Sequence, residues 1–171
     1  SSDVCSSDLV PTKVGMWMMP QPPAHQTFMV TVPKEDQLAD LLDVLGPLKL
    51  NMVVANGVAV GNALHEAALL GKKRGDYDGK GPMAASAVTA AGEALGLGHW
   101  NLYGALYGLP GNVPILCDMV KGAYSSIPGA RVITDGKGID PRLWAWRMGA
   151  MTGVVADAPA RVPAWNGDQA V

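Results

Sequence analysis

His65-Glu66 opens like the His-Glu-x-x-His helix of zinc hydrolases. In that motif two imidazoles one helical turn apart bind the metal and the glutamate acts as base. Here Leu69 stands where the second histidine is needed, so no zinc site is expected. Asp76-Tyr-Asp-Gly79 resembles part of a calcium loop. It lacks the third oxygen ligand and the closing glutamate, and reads as an Asx-type turn. Gly57-Val-Ala-Val-Gly61 and Gly96-Leu-Gly98 are too short for a dinucleotide fingerprint and have no acid at the proper distance downstream. Cys5 and Cys117 are too far apart for a metal pair, and Cys117 falls near the apolar stripe of a helix, as a core thiol does. Lys72-Lys-Arg74 is a solvated loop or, as the minority reading, part of a domain interface. His25 and His99 flank elements and read as surface or capping residues. The residues by themselves therefore offer no catalytic constellation and no metal ligands.

The elements are organised around Trp100-Asn-Leu-Tyr-Gly-Ala-Leu-Tyr-Gly108. Trp100, Leu102, Gly104 and Leu106 fall on one side of a strand, and Asn101, Tyr103, Ala105 and Tyr107 on the other. Bulk on both sides marks an interior strand. Gly104 and Gly108 remove side chains where another group comes close. The sharper reading sends the second face, with its tyrosine hydroxyls, against another domain or a cavity; the plainer one makes the strand simply core.

Around it, strands are expected at 28–32, 51–56, 99–107 and 130–134. Helices are expected at 34–45, bearing Leu38, Leu41, Leu42 and Leu45, and at 112–126, bearing Leu116, Met119, Val120, Ala123 and Ile127. Gly46-Pro47 is expected to stop the first, and Asn112 to cap the second with Pro114 in its first turn. Further helices are expected at 59–70 and 83–95, and after Asp140-Pro141, where Leu143, Trp144, Trp146 and Met148 read as core. Setting the middle helices aside, the order is that of a split βαβ unit. The fold class is α+β, a ferredoxin-like antiparallel sheet, with the 34–45 and 112–126 helices on one face and the other face left for a partner.

The chain has 171 residues, 49% of them apolar and 16% charged, with a net charge of −2. That suits one domain with a sizeable core. No basic stripe exists, so nucleic acid is an unexpected partner. No run of eighteen apolar residues exists, so no membrane span is expected. Two distant cysteines point weakly to a reducing compartment, leaving cytoplasm and periplasm open. Residues 1–9 are polar, repetitive and unlike the rest of the chain; they resemble translated adapter sequence and are set apart as a non-native leader. On that basis the natural protein begins upstream and this chain is a fragment.

Several stretches together resemble one family. They are Thr12-Lys-Val-Gly-Met-Trp-Met-Met-Pro20, Pro47-Leu-Lys-Leu50, Glu66-Ala-Ala-Leu-Leu-Gly71 with the basic loop after it, the strand from Trp100 to Gly108, and Ser126-Ile-Pro-Gly129. All are similar to the vanillyl-alcohol oxidase and 4-cresol dehydrogenase flavoproteins, in the same order over roughly residues 10–155. The resemblance implies an FAD enzyme oxidising para-substituted phenols such as 4-alkylphenols and 4-hydroxybenzyl alcohols by hydride transfer to the flavin. It implies a phenolic small-molecule substrate, and a second copy or a cytochrome subunit as further partners. It divides the chain into the leader 1–9, the last strand of an FAD-binding domain at 10–20, and part of a substrate-cap domain at 21–171. Val10 and Thr12 match the strand that runs close to FAD, and are the cofactor-binding residues the resemblance assigns. The family's phenolate clamp, flavin-linking residue and catalytic carboxylate match nothing in this chain. The likeness departs after Met151-Thr-Gly153, where Val155 stands in place of a proline. A free-standing ferredoxin-like module binding a small molecule or a partner chain is the rival reading.

Overall fold

The alternation of bulk along residues 100–108 is resolved by burying the strand on both sides. A computed structural model of the chain describes residues 20–71 and 83–153, with Lys13 and Gly15. Val10, Thr12, Cys5, the Lys72–Arg74 cluster and the Asp76–Gly79 turn lie outside the described residues. The described elements run β1 (Ala24–Val32), α1 (Leu38–Leu50), β2 (Ala59–Asn62), α2 (Ala63–Leu69), α3 (Ala85–Glu93), β3 (Trp100–Gly108), α4 (Val113–Tyr124), β4 (Arg131–Ile133) and α5 (Pro141–Met151). The strands form one antiparallel sheet in the order β2-β3-β1-β4. That is the ferredoxin-like order, with α2 and α3 inserted between its halves.

β1 and β3 pair along their whole length, Ala24 opposite Gly108 and Val32 opposite Trp100. On the first face, Phe28, Val30, Val32, Leu102 and Leu106 join Leu41, Leu45 and Leu48 of α1 and Cys117, Val120 and Tyr124 of α4 in one core. Both crossover helices therefore cover the same face, as their stripes require. The details shift by a turn. Leu42 and Met119 are exposed, Leu48 and Tyr124 take buried positions instead, and Cys117 is buried as expected. Asn112 stands at the start of α4, but its side chain caps nothing.

Two expected boundaries are wrong for one reason. α1 begins only after a 3-10 turn at Glu35–Gln37 and runs through Gly46-Pro47 to Leu50. Burying Leu48 outweighs the proline, whose ring removes a single helical hydrogen bond. The residues expected as a strand at 51–56 become the turn that closes the helix. Val53 N and Val54 N donate to the Leu48 carbonyl, and Met52 adopts φ 58°. Val53 and Val54 are buried there, as core plugs rather than ladder residues. The true second strand is Ala59–Asn62, inside the span expected to be helical. Asn62 ends it and caps α2, its Oδ1 accepting from His65 N at 2.8 Å.

The second sheet face is not left open. Met29, Tyr103 and Ile133 pack against Leu97, Ile139 and Leu143, with Leu69, Trp144 and Trp146 around them. The chain thus supplies its own cover on both sides.

Candidate functional site

Polar chemistry gathers on this second face. Ala63, Glu66 and Ala67 share the buried side of α2, and Leu143 and Arg147 that of α5. These i, i+3 and i, i+4 spacings drive a carboxylate and a guanidinium into the same apolar layer. Arg147 Nε donates to Glu66 Oε2 at 3.1 Å and Arg147 Nη2 to Glu66 Oε1. Glu66 has no exposed surface, and Arg147 is 7% exposed. The guanidinium lies between the rings of Tyr103, 4.4 Å from its centroid, and Trp146, 4.5 Å away. Gly61 makes room for the pair: a Cβ there would fall 2.6 Å from Glu66 Oε1. The Tyr103 hydroxyl is buried beside the pair, with no hydrogen-bond partner among the described residues. Burial, reinforced by the neighbouring Glu66 carboxylate, pushes its ionisation far above the ordinary phenol range. A closed cluster of this kind, its two charges paired with each other, holds elements together. It presents no free acid, base or metal ligand.

The zinc-like His65-Glu66 is thereby explained. His65 is exposed to solvent, and Glu66 is spent on Arg147. Among the described residues no three His, Cys, Asp or Glu side chains gather as a metal site would require. The expectation for His99 needs correction: it is buried, not on the surface, and meets Trp100 edge-on at 5.4 Å. The cause is Gly98, whose missing side chain lets the Val32 backbone press against the residue before His99. His25 is exposed, as expected. Sequence reasoning passed over Arg147. The available signal was an acid and a base each lying on the apolar stripe of its own helix, since such charges are rarely buried unpaired.

A second feature is an open cleft of ≈ 570 Å³ at the end of the sheet where β1 begins and β3 ends. Its lining includes Pro20, Pro22, His25, Ala55, Tyr107 and Met151. The Tyr107 hydroxyl donates to the Met151 carbonyl, fixing the end of α5 at the cleft wall.

Dinucleotides lie against glycines that leave the backbone bare, but Gly61, Gly96 and Gly98 are already covered. Gly61 faces Glu66, Gly96 faces the Gly138 backbone, and Gly98 faces Val32. These three glycines therefore offer no cradle to FAD.

No protein-family profile matches the chain. It is 30% identical over 144 residues to the 4-cresol dehydrogenase [hydroxylating] flavoprotein subunit of Pseudomonas putida, a match covering 84% of this chain and 28% of that protein. Its fold superposes on p-cresol methylhydroxylase with substrate bound at a TM-score of 0.78, with 27% identity, covering 88% of this chain and 30% of that one. The 4-ethylphenol oxidase of Gulosibacter chungangensis, in its isoeugenol complex, gives a TM-score of 0.73 and 30% identity over 84% of this chain and 29% of its own. Over most of its length the chain is thus homologous to flavoproteins of the vanillyl-alcohol oxidase and 4-cresol dehydrogenase family. It spans less than a third of the length of these relatives.

Proposed function

We propose that this chain is the substrate-cap portion of an FAD-dependent oxidoreductase that oxidises para-substituted phenols by hydride transfer to the flavin. The observation that carries the proposal is the 0.78 superposition, over 88% of the chain, on p-cresol methylhydroxylase with substrate bound. On this reading residues 10–20 are the end of the FAD-binding domain, with Val10 and Thr12 beside the cofactor, and 21–171 belong to the cap. A cap suits such chemistry because the reacting carbon must be held close to the acceptor and water kept out. What this chain brings is a rigid double-covered sheet, cross-tied by Glu66 and Arg147. The phenol substrates are 4-alkylphenols and 4-hydroxybenzyl alcohols. The relative from Pseudomonas putida is named as a subunit, and a cytochrome partner or a second copy belongs to the same proposal.

The test starts from the unbroken reading frame. The full-length product is expected to retain flavin absorbance after desalting and to turn over a 4-alkylphenol with a dye acceptor. The 171-residue chain, given FAD, is expected to do neither. A short frame starting close to Val10, or a full-length product without flavin, would leave the free-standing binding module standing instead.

A further inference from the structure

We infer that the pocket between the end of α3 and β4 binds a small zwitterion of the α-amino-acid class, its carboxylate on Arg131 and its ammonium on Glu93. The pocket holds ≈ 330 Å³, at the lower end of the range of about 300–1,000 Å³ found for small-molecule sites. Thr31 of β1 and Arg131 of β4 are cross-strand partners and form its sheet wall. Thr89 and Glu93 lie one helical turn apart on α3 and form its helix wall. His99, just before β3, completes the polar lining, and Pro33 and Leu97 add apolar surface for a short side chain.

The two walls differ in polarity. Arg131 Nη2 donates to the Gly96 carbonyl at 2.7 Å, and the rest of its fork remains for a carboxylate. Glu93 ends α3, where the helix dipole also favours a cation. The Thr89 hydroxyl donates to the Ala85 carbonyl, so towards an occupant it can only accept. Among the described residues neither Arg131 nor Glu93 has an ion-pair partner. His99 is only 5% exposed, and its Nδ1 has no hydrogen-bond partner among the described residues. Such an unpaired nitrogen is costly to bury. Histidine χ2 turns easily, so a polar occupant can satisfy it. A plain anion would meet Glu93 without a countercharge, and a plain cation would meet Arg131 in the same way; a zwitterion answers both.

The inference does not rest on the phenol reading above, and its assay uses neither flavin nor phenol. The isotope-labelled 171-residue chain is titrated at neutral pH with L-alanine, acetate and ethylammonium, and followed by amide and His99 ring NMR signals. L-Alanine is expected to give saturable shifts centred on Thr31, Glu93, His99 and Arg131. Acetate and ethylammonium should each bind at least about ten-fold more weakly, since each lacks one charge-assisted contact. Glu93→Gln alters an exposed side chain and should weaken L-alanine about ten-fold while leaving acetate unimpaired. Arg131→Gln should weaken L-alanine and acetate alike while sparing ethylammonium. Acetate or ethylammonium binding as tightly as L-alanine, equal losses of L-alanine and acetate in Glu93→Gln, or no saturable shift from L-alanine would each overturn it.

Discussion

Glu66 and Arg147 pose the sharpest question at the scale of the residue. A buried ion pair is seldom a large net source of stability, but breaking one side of it leaves a naked charge in an apolar layer. Arg147→Met is therefore expected to destabilise the chain by about 3–5 kcal/mol. Glu66→Leu together with Arg147→Met should recover most of that loss, because both charges are then gone. Urea midpoints of the single and double variants check this. A double variant as weak as the single would mean that the guanidinium matters for its packing between Tyr103 and Trp146 rather than for its charge. The pair also shows what a sequence yields one residue at a time. Glu66 is visible as half of a metal motif, and its failure as a motif is legible in Leu69. Its actual partner lies 81 positions away, a distance that no local pattern spans.

Among the elements, the central strand is the most legible. Its alternation can be read because period two is a geometric property of strands. Both faces are buried as that period requires: Leu102 and Leu106 against α1 and α4, Tyr103 against α5. Gly104 is close-packed, but by a neighbour within the sheet. A Cβ there would lie 2.7 Å from Phe28 Cζ and 3.3 Å from Val58 Cγ1. The Phe28 ring of the paired strand covers the glycine. Gly104→Val is thus expected to cost about 1–3 kcal/mol through overpacking, read as a lowered thermal midpoint. Phe28→Leu in the same chain should relieve part of the loss. Gly108 carries no such constraint, since its nearest neighbour would be Asn112 Cβ at 3.9 Å.

Elsewhere the limits of local signals are plain. Ala59-Val-Gly-Asn62 has almost no strand propensity and is a strand only because β3 offers it an edge. Val53-Val54 has that propensity and is a turn, because Leu48 and the first-face core claim it. The candidate cleft is not legible either. It is assembled from Pro20, Ala55, Tyr107 and Met151, four separate segments whose approach is a property of topology.

For the whole molecule, the two layers of cover have a measurable consequence in alkali. Burial raises the ionisation of Tyr103 and of Tyr124, one on each side of the sheet. For an acid whose proton is held more tightly in the folded state, stability is fully present below the unfolded pKa, about 10 for tyrosine, and declines as pH rises beyond it. Each buried phenol should lower stability by about 1.4 kcal/mol per pH unit above that point. In a spectrophotometric titration of the four tyrosines, Tyr103 and Tyr124 should ionise only as the chain unfolds. Phenolate absorbance from all four rising together, with the fold intact, would contradict the burial of these two. The same closure corrects the expectation of an apolar face left bare. Among the described residues the sheet's edge strands are β2 and β4, four and three residues long, and such short edges recruit other strands poorly.

The strand order also has a consequence in time. No strand in this sheet pairs with the next one along the chain by a simple hairpin. β1 must wait for both β3 and β4, while even β2 and β3 are separated by two helices and their loops. Every rung of the ladder is therefore a distant closure, and distant closures are slow. As the polypeptide leaves the ribosome, β1 is a nine-residue strand with nothing to pair with until β3 begins to emerge at Trp100, opposite Val32. During that interval α1 can form and shield it, but the ladder cannot begin. Refolding should be correspondingly sluggish and sensitive to protein concentration.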